Sequence, residues 1–126
     1  MTKEFVSYEQ SIVLKELGFD EACICYYDVE DSYKLKPIPM KEEINAFHFN
    51  STSIMTAAPL KQQVFRWFRE KHNLVSWVYI SHNEFFYTIV ENGRYVKGVG
   101  SHANYDEAED ACLNELIENI NDENNK

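Results

Sequence analysis

Cys23 and Cys25 are separated by one residue, so on a β-strand both thiols project from one face and could offer two thiolates to a metal ion. A structural zinc takes four ligands, usually as two close pairs. The remaining cysteine, Cys112, stands far along the chain, and His48, His72, His82 and His102 show no His-x3-5-His spacing. Buried apolar cysteines are the plainer reading. A Cys or Ser nucleophile would need a base and an orienting acid beside it, and nothing in the order of residues assembles them. "GVGS" (98–101) leads toward a helix but lacks the further glycine or the Lys-Ser/Thr of nucleotide loops, which leaves a strand end. No catalytic, cofactor-binding or metal residue is assigned.

Two charged clusters have more to offer. In "APLKQQVFRWFREKHNL" (58–74), Phe65, Trp67 and Phe68 interleave with Arg66, Arg69 and Lys71, the pairing of aromatics and bases that nucleic-acid surfaces use. The same stretch also reads as a core helix: Leu60, Val64, Trp67 and Phe68 follow the i, i+4, i+7, i+8 rule, and Lys61, Arg66, Arg69 and Lys71 fall mostly off that stripe. Burying side chains of this size contributes roughly 1.5–3 kcal/mol each, well above a surface charge contact, so the core reading prevails. Near the other end, Asp106, Glu107, Glu109 and Asp110 crowd together, with Glu115 and Glu118 beyond. Such carboxylates suit a helix N-terminus, where the macrodipole favours negative charge. Their number exceeds what capping needs, which makes an acidic partner-binding surface the alternative.

The chain has 126 residues and a net charge of -9, unevenly placed. Residues 1–56 hold 10 acids and 5 bases, residues 57–100 hold 3 and 6, and residues 101–126 hold 8 and 1. Duplex affinity rests largely on counterion release by Lys and Arg, so this balance argues against general DNA or RNA binding. No apolar run reaches the roughly 20 residues of a membrane span. "MTKEFVSYEQ" lacks the apolar core of a signal peptide. With an odd cysteine count, the expected compartment is a reducing cytoplasm.

Local signals then place these residues on elements. Ser7 with Gln10 fits a capping box, Ile12, Val13, Leu14 and Leu17 supply apolar positions, and Gly18 suits the stop of a first helix. "ACICYYD" (22–28) reads as a strand covered on both faces, turned by "VEDS" into "YKLKPI", where Pro37 and Pro39 confine the second strand to an edge. "NSTSIMTAAP" reads as a connector. Pro59 fits the first turn of the second helix and Asn73 its end. Strands follow at 75–80, 85–90 and 95–99, joined by "SHNE" and "ENGR"; Asn92-Gly93 is a strong type I′ hairpin signal. A last helix starts near Asn104 with Glu107 completing a capping box, and Tyr105, Ala108, Cys112, Leu116 and Ile120 form its buried stripe.

The expected fold is one α+β domain over 1–126: an N-terminal helix and β-hairpin subregion (1–49), a connector (50–58), a helix–three-stranded antiparallel sheet–helix unit (59–120) and a frayed tail (121–126). In the latter half, "GVGSHANYDEAEDACLNEL" resembles the end of a double-stranded RNA-binding domain. That family follows a glycine-containing third strand with a helix that opens on Ser-Lys-Lys and continues through Glu-Ala-Lys. Glu107, Ala108 and Ala111 match that pattern, while Tyr105, Asp106 and Glu109 stand where its phosphate-gripping lysines would. The resemblance implies the topology and its departures count against the activity. Along the whole chain, "VSYEQSIVLKELGFDE", "APLKQQVFRWFREKH" and "YDEAEDACLNELIE" resemble small acidic proteins of unknown function encoded by bacteriophages and phage-bearing bacteria.

These readings converge on a non-enzymatic accessory protein in the bacterial cytoplasm. It needs no cofactor and binds a host protein with a basic surface, the target class being a nucleic-acid-handling or defence complex. Asp106, Glu109, Asp110, Glu115 and Glu118 are the expected partner-binding residues. The alternative is an RNA-binding module using Arg66, Arg69, Lys71 and His82.

Overall fold

In the computed structural model, residues 2–37 and 55–124 are described. The chain divides into two compact units, Met1–Gln63 and Val64–Lys126.

In the first unit, helix α1 (Tyr8–Glu16) starts where Ser7 can cap it. The Ser7 hydroxyl accepts from the Gln10 N–H at 3.1 Å, and the Gln10 amide oxygen accepts from the Ser7 N–H at 2.9 Å. Each half satisfies a donor that the helix itself cannot. The far end closes as a Schellman motif: Gly18 adopts φ +96°, its N–H donates to the Lys15 carbonyl, and the Phe19 N–H donates to that of Leu14. The helix buries Gln10, Ser11 and Leu14, and leaves Ile12, Val13 and Leu17 half-buried. The buried face therefore runs through two polar residues, which the apolar count alone points away from.

Strands β1 (Cys25–Asp28), β2 (Lys34–Pro37) and β3 (Met55–Ala58) form an antiparallel sheet in the order β2-β1-β3. The hairpin and its edge strand appear as expected; Pro39 lies outside the described residues. Residues 55–58 correct the connector reading, because they pair with β1 along its full length. Thr56, Ala57 and Ala58 are all buried, so neither alternation nor β-branched bulk marks them as a strand. Phe5, Cys25 and Ala58 form a small core with Tyr27, Leu35 and Leu60 packed against it. Leu60 thus leaves the helix stripe for this cluster, bridging to Phe5. The second helix, α2 (Lys61–His72), begins after it.

Asn73 ends α2 with φ +57°. Val64, Phe65, Trp67 and Phe68 are buried, and so is Lys61. Trp67 meets Phe68 and His72 edge-on at ring-centroid distances of 5.1 and 4.8 Å.

In the second unit, strands β4 (Leu74–Ser81), β5 (Glu84–Glu91) and β6 (Arg94–His102) form an antiparallel meander. Both connections are two-residue turns with positive φ throughout: His82 and Asn83 at 52° and 65°, Asn92 and Gly93 at 52° and 82°. Helix α3 (Tyr105–Asn124) packs on all three strands. The Asn104 side chain accepts from the Glu107 N–H at 2.9 Å, while the Glu107 carboxylate accepts from the Ala103 N–H, one residue before the expected partner. Ala108, Cys112, Leu116 and Ile120 are buried as expected, joined by Leu113 and Ile117. Tyr105 instead stays 47% exposed. Helix α3 runs on to Asn124, into the segment expected as a tail; 125–126 lie outside the described residues.

Phe68→Ala should cost about 3–5 kcal/mol in denaturant unfolding, as full burial of the ring implies. Exposed Arg66→Ala should stay within about 0.5 kcal/mol. A Phe68→Ala loss below about 1 kcal/mol would contradict the assignment of this helix face.

Candidate functional site

The acidic set is divided by the fold. Glu109 is only 6% exposed, because the buried face of α3 is wider than the expected stripe and runs through Ala108, Glu109, Cys112, Leu113 and Leu116. Burial, first, and then the neighbouring Glu109 carboxylate raise the Tyr105 phenol above its ordinary range. Glu115 is engaged by Lys97 of β6, and the hydrogen bond from that ammonium to the carboxylate holds the Lys97 pKa up. Asp106 and Asp110 are partly exposed and Glu118 is exposed. Three of the five expected contact residues therefore remain at the surface.

The basic set thins as well. Arg66, Arg69 and Lys71 are exposed on α2, and Arg66 lies 3.9 Å from Glu70. At 100° per residue, Arg66 and Arg69 share a helix face while Lys71 points well away from both. His82 occupies the β4–β5 turn, its Nδ1 3.0 Å from the Ser81 hydroxyl. The bases do not form one continuous stripe.

The cysteines are interior. Cys23 and Cys25 are buried free thiols, and Cys23 Sγ donates to the Glu21 carbonyl at 3.5 Å. Burial pushes the Cys23 thiol up to about 12 and that of Cys112 to about 11. Among the described residues, no three His, Cys, Asp or Glu side chains come together as a metal site. His48 lies outside the described residues, His72 packs on Trp67, and His102 Nδ1 sits 3.3 Å from the Phe85 carbonyl. The "GVGS" stretch lies within β6 rather than at its end.

A different surface emerges from the sheet. One face of β4-β5-β6 meets α3 through Leu74, Tyr87 and Ile89, all buried. Because side chains alternate, Val75, Trp77 and Tyr79 must point to the other face, where they stand 43%, 48% and 43% exposed. Across the ladder they oppose Val90, Thr88 and Phe86. Tyr79 stacks on Phe86 at 5.6 Å and 16°. Two glycines of β6 complete the floor: a Cβ on Gly100 would fall inside the Phe86 ring, and one on Gly98 would lie 2.8 Å from the Tyr95 hydroxyl. Tyr95 itself is 68% exposed. This row of Val75, Trp77, Tyr79, Phe86, Thr88 and Tyr95 contains no charged residue. Its signal lay in "VSWVYI", where large apolar residues occupy both parities although one helix can cover only one.

Neither a protein-family model, nor a curated protein, nor a solved structure matches the chain. No helix of the described residues is long and apolar enough to cross a membrane.

The thiol pKa values give a pH dependence with a definite sign. A thiol raised above its ordinary 9.0 keeps its proton in the folded chain at pH values where the unfolded chain loses it, so its contribution to stability is intact below about pH 9. That contribution should be lost progressively between about pH 9 and 12, as the Cys112 and then the Cys23 thiol ionise. Thermal unfolding of wild type and Cys112→Ala across pH 8 to 10.5 checks this: the variant should lose stability less steeply. Parallel slopes would contradict the assignment.

Proposed function

We propose that this protein acts by contact, as a binding module whose apolar site is the open face of the β4-β5-β6 sheet. The observation that carries this reading is the exposure of Trp77, Tyr79 and Tyr95 together on one face whose central row carries no charge. A buried aromatic removes 150–250 Å² from water, so these three leave on the order of 100 Å² each available. That places the patch in the roughly 300–600 Å² range of the largest, often functional, patches on monomers. Trp and Tyr are the residues most enriched where partners dock, and charge is depleted at the centre of such contacts.

The occupant we favour is a host protein with an apolar groove bordered by basic residues. The chain carries net charge -9, and Asp106, Asp110 and Glu118 at the surface of α3 add to a field that speeds encounter with a cation. The resemblance to small acidic phage proteins makes a bacterial cytoplasmic target the natural counterpart, with a nucleic-acid-handling or defence complex as its class. The order α2-β4-β5-β6-α3 supports a double-stranded RNA-binding type of arrangement that has given up its phosphate grip.

A second reading draws on the same aromatics. Bases of single-stranded RNA stack on exposed Trp and Tyr, with Arg66 and Arg69 of α2 as the cations of that reading. The absence of Lys or Arg from the aromatic row makes this the lesser candidate.

Passing host lysate over the immobilised chain tests both. A basic protein should be retained at about 0.05 M salt and released toward about 0.5 M, as screening shortens the Debye length. Tyr95→Ser should reduce its retention at least several-fold, and Asp110→Asn with Glu118→Gln should slow its association. Retention equal to wild type by the Tyr95→Ser variant would remove the sheet face as the site. Retention that nuclease abolishes would favour the RNA reading.

A further inference from the structure

The two edges of the β4-β5-β6 sheet are built differently. Strand β6 carries Arg94, Lys97, Gly98 and Gly100, and its pairing with β5 slips in register twice. Charges, glycines and bulges are the devices by which sheets blunt an edge against further pairing. Strand β4 has none of them. "LVSWVYIS" contains no charge, no Pro and no Gly, and it pairs with β5 over eight residues without a shift. Among the described residues, no strand hydrogen-bonds to its outer side. A long, regular, uncharged edge of aromatic and β-branched residues is a template for another strand.

We infer that the outer edge of β4 pairs antiparallel with β4 of a second copy, making a two-fold dimer with one continuous six-stranded sheet. A second copy is the occupant because the edge is complementary to itself. Residues directly opposite in an antiparallel ladder share a face, so a two-fold normal to the sheet sets a residue against its own mate. Centred on Trp77, the seam places Trp77 opposite Trp77 and Val75 opposite Tyr79 on the open face. Aromatic–aromatic and aromatic–β-branched pairs are the favourable combinations across a ladder. The charge distribution agrees. Residues 57–100 hold 6 of the chain's 12 bases and only 3 of its 21 acids, so two copies meet at their least acidic segment. Their remaining mutual repulsion is long-range, and salt screens it. Dimerisation therefore strengthens as salt rises, opposite in sign to binding of a basic partner. This inference goes beyond the proposed function and does not depend on it, since Tyr95 lies on the far strand.

Sedimentation of the full chain at roughly 100 µM, where a micromolar dimer is nearly saturated, should give twice the 14.8 kDa chain mass. The dimer fraction at lower concentration should rise between about 0.05 and about 0.5 M salt. Trp77→Lys and Trp77→Glu should each sediment as monomers, and an equal mixture should recover the dimer, because opposite charges then face each other at the centre. Recovery on mixing also shows that both variants are folded. In a second design, Val75→Glu with Tyr79→Lys should dimerise through two Glu–Lys pairs, whereas Val75→Lys with Tyr79→Lys should not. Wild type that stays monomeric at all salts overturns the inference, as does a Trp77→Lys chain that dimerises like wild type. A dimer that the mixture fails to recover overturns this seam. A strand contributed by a different protein, seen as hetero-association of an otherwise monomeric chain, would do the same.

Discussion

Everything in the second unit depends on one helix sealing one side of a three-stranded sheet. Helix α3 buries Ala108, Cys112, Leu113, Leu116, Ile117 and Ile120, and burying the larger of these contributes roughly 1.5–3 kcal/mol apiece. A single helix can cover only one face of the sheet, and side-chain alternation sends every second residue of β4 and β5 to the other. The open aromatic face is therefore a direct consequence of the packing that holds the unit together. Polar residues there would have met the demands of folding equally well. The presence of Val75, Trp77, Tyr79 and Tyr95 instead is what calls for a functional account.

Charge plays a different part from the one its density suggests. Of the acids crowded into α3, Glu107 takes part in the N-terminal cap, Glu109 is buried and Glu115 is held by Lys97. These three serve the helix and its packing. Asp106 and Asp110, partly exposed, and Glu118, exposed, add with the acids of the first unit to the negative field of a chain of net charge -9. A field of this kind accelerates encounter, while an uncharged aromatic centre sets how long a complex lasts.

Much of the architecture was legible because it rests on local rules. Ser7 and Gln10, Gly18, Asn73 and Asn92-Gly93 each answer a backbone demand within a few residues, and all stand where those rules put them. The missed elements obey longer-range causes. Residues 55–58 form a strand through their pairing with β1, and small buried side chains carry no local mark of it. Lys61 and Glu109 are charged yet buried, which periodicity assigns to the outside. Leu60 keeps the helical spacing but belongs to the neighbouring cluster with Phe5. The aromatic face was visible as "VSWVYI" and yet ambiguous, because a strand apolar on both sides equally describes one covered twice.

The wild-type protein contains its own probe of the central claim, that the open sheet face is the working surface. Of its two tryptophans, Trp67 is 3% exposed and Trp77 is 48% exposed. The fraction of emission quenched by acrylamide therefore reports the sheet face alone. Dilute protein at low salt should show one quenchable tryptophan, which becomes shielded and blue-shifted when a partner, either a second copy or a retained host protein, is bound. Binding that leaves the quenchable fraction unchanged would place the contact elsewhere and contradict the account.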